Sequence, residues 1–117
     1  MKTTFKLWTP GFRERTLVDS VCINTGSVEI SISGNIISVA FDDVAGIHAY
    51  ALEVPASLLT VVVLATESGY NLEVRSDMAG WSQFLRELGE HLPLKVRDLP
   101  GLIGQLTADA PVAELYP

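Results

Sequence analysis

The alternation on either side of Gly34-Asn35 constrains this chain more than any other feature. From Val28 to Phe41 apolar residues recur at every second position, with Val28, Ile30 and Ile32 before the pair and Ile37, Val39 and Phe41 after it. A period of two belongs to a strand with one buried face, and Gly supplies the positive φ that a two-residue hairpin turn can require at its first central position. The pairing expected from a Gly34-Asn35 turn sets Ile32 against Ile37, Ile30 against Val39 and Val28 against Phe41 on one face. Ser33 with Ile36, Ser31 with Ser38 and Glu29 with Ala40 then make a largely polar opposite face. Pattern and turn point to the same register, so the chain is expected to be built around antiparallel sheet.

Other strands follow from the same signals. Thr4 to Trp8, ended by Thr9-Pro10-Gly11, and Leu17 to Ile23, ended by Asn24-Thr25-Gly26, are β-prone runs closed by turn residues. Asp42-Asp43 marks a break, and Val44 to Leu52 reads as the next strand. Glu53-Val54-Pro55-Ala56 is a connection, because Pro cannot donate to a central ladder. Leu58 to Thr66 is apolar on both faces: either it is central and covered on both sides, or one face awaits a partner. Glu67-Ser68-Gly69 suits a three-residue loop with Gly69 at its positive-φ position, and Tyr70 to Arg75 returns as a half-exposed strand.

One helix stands out, from about Ala79 to Leu92, since Trp81, Phe84, Leu85, Leu88 and Leu92 keep the i, i+3, i+4, i+7 spacing of a single apolar face. Asp77 is placed to cap it, and Pro93 removes a donor where the pattern stops. Asp98-Leu99-Pro100 can open a short second helix carrying Leu102, Ile103 and Leu106. Ala110 to Pro117 is either a loose tail or an arm docked on apolar surface. The expected fold class is therefore α+β: a curved antiparallel sheet or partial barrel of about six to seven strands, capped by one C-terminal amphipathic helix. Residues 1–95 form a single domain in this reading and 96–117 a C-terminal extension, consistent with one core in a chain of 117 residues.

Several of these residues carry a family resemblance. Phe41-Asp42-Asp43-Val44, Ile47 with Ala49-Tyr50, the apolar strand, Ser68-Gly69, and Asp77-Met78-Ala79-Gly80-Trp81 leading to Leu85, Leu88 and Leu92-Pro93 together resemble a group of small uncharacterised bacterial proteins with a PH-like fold. The likeness spans about Val39 to Pro93 and implies a helix that plugs one end of the curved sheet. It departs from the group at Ala51-Leu52-Glu53-Val54, where charged residues would be expected. It implies architecture and brings no function with it, since PH-like folds host lipid, peptide and protein binding alike.

Charge narrows the partners. Fourteen acidic residues against eight basic ones give a net charge of −6, and no Lys or Arg occurs between Arg15 and Arg75. Asp19, Glu29, Asp42, Asp43, Glu53, Glu67 and Glu73 all fall in that interval, which would repel phosphate, so nucleic acid is not an expected partner. A lipid headgroup site is disfavoured for the same reason, because its usual basic loop is missing. The longest apolar run, Leu58 to Ala65, is too short to span a bilayer and no export signal opens the chain, so a cytoplasmic location without membrane insertion is expected.

Chemistry-bearing motifs are sparse. There is no Gly-x-Ser-x-Gly elbow and no phosphate-binding glycine loop, and Cys22, His48 and His91 are too few for a zinc set. Asp42-Asp43 supplies too few oxygens for calcium and reads as a solvated turn. His48 would need Asp42, Asp43 or Tyr50 within hydrogen-bond reach to act as a general base, and a structural strand histidine is the favoured reading. No catalytic, cofactor-binding or metal residue is assigned. With 48% hydrophobic residues the chain has apolar surface to spare, which points to a non-enzymatic protein-interaction module that self-associates as a homo-oligomer. The residues expected at its contact surface are Trp8, Leu59, Val61, Val63, Leu115 and Tyr116. Two alternatives are a small acidic inhibitor, of the kind formed by immunity proteins, covering a basic partner, and a small enzyme with His48 as base.

Overall fold

The computed structural model describes residues 18–117. The strand expected at Thr4 to Trp8 lies outside the described residues. Among those described, seven strands form two antiparallel sheets. The first contains β1 (Ser20–Asn24), β2 (Ser27–Ile32) and β3 (Asn35–Ala40) in the order β1-β2-β3. The second contains β4 (Val44–Val54), β5 (Ser57–Thr66), β6 (Asn71–Arg75) and β7 (Ala113–Tyr116) in the order β6-β5-β4-β7. Two helices, α1 (Trp81–His91) and α2 (Leu99–Gln105), intervene between β6 and β7. The class is α+β, as expected, but the wall is divided into two sheets and is not a closed barrel.

The division falls where the acidic pair breaks the strand pattern. Phe41–Asp43 forms a single turn of 3₁₀-helix, and the Phe41 N–H, donating to the Gly26 carbonyl, makes the last bond in the β2–β3 register before the chain turns away. Phe41 turns into the core, and its ring stacks on His91 at 4.8 Å between centroids.

The hairpin register differs from expectation by two residues. The turn is Ser33-Gly34, both with positive φ (52° and 84°), and the pairs are Ile32–Asn35, Ile30–Ile37 and Val28–Val39. Positive φ at both central positions matches the twist of the flanking strands, and the strained Ser33 is held by its N–H donating to Asp19 Oδ1 at 3.1 Å. Because side chains alternate with period two, a shift of two leaves every residue on its expected face. Val28, Ile30 and Val39 are accordingly buried. The β4–β5 connection is shorter than expected, since Glu53 and Val54 stay in β4 opposite Leu58 and Ser57 and only Pro55-Ala56 form the turn; Glu67-Ser68-Gly69 links β5 to β6 as expected, with Gly69 at φ 103°.

Helix α1 lays Phe84, Leu85 and Leu88 into the core and packs on β1 and α2. Its cap differs from expectation. Asp77 accepts a hydrogen bond from Arg75 Nε and caps nothing; the N-cap is Gly80, at φ 89°, with no side-chain cap bond. The reason is proximity to β1: the Val21 N–H donates to the Ala79 carbonyl, the Ala79 N–H donates to the Asp19 carbonyl, and a Cβ on Gly80 would collide with the Val21 carbonyl oxygen. Asp98 does cap α2, accepting from the Gly101 N–H at 3.0 Å.

The segment read as an extension contributes Leu99, Ile103, Leu106 and Leu115 to the same apolar cluster as Val28, Ile30, Ile47, Val62, Leu64 and Phe84. Strand β7 pairs with β4 at Ile47 to Ala49, and the Lys95 N–H donates to the Leu115 carbonyl. Fully burying a side chain of this size stabilises by roughly 1.5–3 kcal/mol. No helix among the described residues is long and apolar enough to cross a membrane.

Replacing Gly80 tests the junction between β1 and α1. Gly80→Ala combines positive-φ strain with a backbone clash, and thermal or urea unfolding should show a loss of about 3 kcal/mol or more. A loss under about 0.5 kcal/mol, the size of an ordinary surface change, would mean that the close approach does not exist in solution.

Candidate interaction surface

Large apolar side chains reach the surface in two places where a strand lacks a neighbour. Strand β7 supports β4 only at Ile47 to Ala49, and β6 supports β5 only at Val61 to Ala65. The pairs Leu52–Leu59, Glu53–Leu58 and Val54–Ser57 therefore extend beyond both as a two-stranded ribbon of about 10 Å. Leu52 and Leu58 are exposed on it and Leu59 is half-buried. Such ribbons are marginal alone in water, so this end depends on the body of β4 and β5 or on contact with something else.

The second place is β3. It pairs with β2 on one side, and no described strand lies on its other side. Four of its first five residues are exposed, with Ile36 at 70% and Ile37 at 40%.

The residues expected at the contact surface are dispersed. Leu59 is on the ribbon. Val61 and Val63 are buried, each flanked across the sheet by longer side chains: Tyr50 and Arg75 beside Val61, His48 and Glu73 beside Val63. Leu115 is fully buried in the core, and Tyr116 packs half-buried against it. In the ladder Tyr116 lies opposite Ile47 and Leu59 opposite Leu52, about 17 Å apart along β4. Trp8 lies outside the described residues. Ile36, Ile37 and Leu52 carry exposed apolar surface that the sequence reading did not assign; the signal available was the lack of any charge in Asn35–Ala40.

The titratable side chains do not converge. His48 stands on the outer face of β4 with its ring 6.5 Å from that of Tyr50, and no hydrogen bond joins it to Asp42, Asp43 or Tyr50 among the described residues. Asp43 accepts from Ser68 Oγ at 2.9 Å, tying the 3₁₀ turn to the β5–β6 loop. Among the described residues no three His, Cys, Asp or Glu side chains come together as metal ligands would. Cys22 is an exposed strand residue on the rim of a groove of about 290 Å³ between β1 and α1, which Val21, Gln83, Phe84 and Glu87 also line.

Asp19 is the exception to this dispersal, and its role is to bind the fold together. Its carboxylate accepts from Arg75 Nη2 at 2.6 Å and from the Ser33 N–H, joining the end of β6 to the β2–β3 turn. The Arg75 hydrogen bond, followed by that from Ser33, holds the Asp19 carboxyl below the usual carboxylate range.

Comparison of the chain with protein families, with curated proteins and with solved structures finds no match. The fold defines an α+β protein, with two antiparallel sheets and two helices among the described residues.

The Asp19 linkage has a definite sign with pH. A carboxyl whose folded pKa lies below its unfolded value, about 3.9, adds stability that is complete above that value and is lost as the pH falls through the folded pKa. Asp19→Asn should therefore melt below the wild type at neutral pH, with the two melting temperatures converging as acid protonates the carboxylate. A gap that stays constant down to strongly acid pH would show that ionisation of Asp19 is irrelevant to the clasp.

Proposed function

We propose that the chain is a non-enzymatic protein-interaction module that associates with a second copy of itself. The observation that carries the reading is the placement of four of the seven exposed large apolar residues among those described: Leu52 and Leu58 on the unsupported end of the β4–β5 ribbon, Ile36 and Ile37 on β3, which has a described neighbour on one side only. Single exposed apolar residues need no explanation, but these four lie on strand segments with a described neighbour on one side only, where apolar side chains come together with unpaired main-chain groups. The architectural part of the proposal is PH-like: the two sheets act as halves of one curved wall, with α1 at its end. Support for that comes from the way α1 packs on β1 while the loop before it bonds to Asp19 and Val21.

A second reading, a small acidic inhibitor of a basic partner, is favoured by one feature. The described residues from Val18 to Asp43 carry Asp19, Glu29, Asp42 and Asp43 and no Lys or Arg. Salt separates the two readings, since an apolar self-contact persists in high salt whereas capture of a basic partner weakens as charges are screened.

Sedimentation equilibrium of the full chain across the micromolar to millimolar range is the direct test. The expected result is a weight-average mass that rises with concentration toward twice that of one chain and is little changed by high salt. A mass fixed at that of one chain throughout would sink self-association.

A further inference from the structure

Two sheets of this kind have four edges, and three of them are guarded. Strand β1 is bonded at its start by the segment before α1, through Ala79. Strand β6 carries Glu73 and Arg75, with Arg75 held by Asp19 and Asp77. Strand β7 carries Glu114 and lies between Pro111 and Pro117. Strand β3 reads Asn35-Ile36-Ile37-Ser38-Val39-Ala40, with no charge and no Pro, and its pairing with β2 runs without a bulge. Charges, prolines and bulges are the devices by which sheet edges avoid pairing with other chains.

We infer that β3 pairs antiparallel with β3 of a second copy across a two-fold axis, joining two three-stranded sheets into one of six strands. The inference deepens the proposed function and rests on self-association. The two-residue turn at Ser33-Gly34 makes Ile32–Asn35 a hydrogen-bonded pair, and alternation assigns Ile30–Ile37 and Val28–Val39 to the same kind. The main-chain donors and acceptors of Ile36, Ser38 and Ala40 therefore point away from β2, toward the side on which no described strand lies. An axis at Ser38 sets Ile36 beside Ala40 of the second copy, a large residue against a small one.

Charge selects a second copy as the occupant. The chain carries a net charge of −6, so like copies can meet closely only where no carboxylate is brought opposite another. Strand β3 satisfies that condition. The carboxylate on the neighbouring strand, Glu29, would lie about three strand spacings from its counterpart, roughly 14 Å, which exceeds the screening length of about 10 Å at 0.1 M salt. A basic strand would find no carboxylate within β3 to favour it. One strand pair buries less than the roughly 1,600 Å² of a standard interface, so a dissociation constant in the micromolar range is expected.

The test compares four full-length chains by sedimentation equilibrium, with circular dichroism as a check on folding. Ser38→Pro removes an outward donor and no bond to β2, a substitution that edge strands tolerate. Ile36→Lys places a charge against Ala40 of the second copy, where the contact would strip it of water. The third variant, Leu52→Ser with Leu58→Ser, alters the ribbon instead, and the fourth chain is the wild type. The expected result is a dimer for the wild type and the ribbon variant, with a dissociation constant raised about tenfold or more in both β3 variants. If Ser38→Pro does not fold, Ile36→Lys decides alone, since Ile36 is mostly exposed. Dimerisation retained in the β3 variants but lost in the ribbon variant overturns the β3 contact and leaves self-association standing. A wild type that stays monomeric overturns both.

Discussion

The structure depends on how β1 meets the segment between β6 and α1. No strand ladder joins the two sheets among the described residues, so their alignment rests on side chains and on this crossing point. Two positions of one segment meet two of the other: Asp19 and Val21 exchange main-chain hydrogen bonds with Ala79, and Gly80 leaves room for the Val21 carbonyl. The Asp19 carboxylate then holds Arg75 and Ser33 together. Only with β1 fixed this way does α1 lie where Phe84 and Leu88 fill the space beside Val21 and Ile30. An apolar core alone would be content with several sheet angles; the hydrogen bonds select one.

Much of this arrangement was legible in the chain because it is periodic. Alternation around Ser33-Gly34 fixed which residues of β2 and β3 face inward, and it did so even though the turn itself is displaced by one position. The spacing of Phe84, Leu85 and Leu88 gave α1, and Asp98 with Pro100 gave the start of α2. What stayed hidden depends on residues far apart in sequence. Asp77 looks like a cap by local rules, but tertiary contact with β1 places Gly80 there and leaves Asp77 to Arg75. The strand character of Ala113–Tyr116 arises from pairing with β4, for which four residues between prolines give no periodic signal.

The exposed apolar surface was less legible than the fold for a related reason. Apolar content identified a surplus, and the two-faced apolar run of β5 was the natural place to look for it. Val61 and Val63 need no partner, because His48, Tyr50, Glu73 and Arg75 stand on either side of them. On the strands, where large apolar side chains meet water is decided by which strands run past their neighbours, at Leu52 and Leu58, and by which strand ends a sheet, at Ile36 and Ile37. Neither property belongs to a residue or to its flanking sequence. Both follow from strand order and relative strand length, which are global features of the assembly.

The division at Phe41–Asp43 has a consequence for how the chain folds. Every ladder contact in the first sheet joins residues within Ser20 to Ala40, by two short turns, whereas its attachment to α1 must close a loop of about sixty residues between Val21 and Ala79. Local pairing is fast, and closing a long loop costs entropy before it returns contacts. The ladders of the first sheet therefore close only short loops, and the cost of the long one falls on its docking against the β6 end and α1. It is this docking that takes Val21, Val28 and Ile30 out of water, so a change that loosens the Val21–Ala79 junction would expose apolar surface of the kind that favours aggregation.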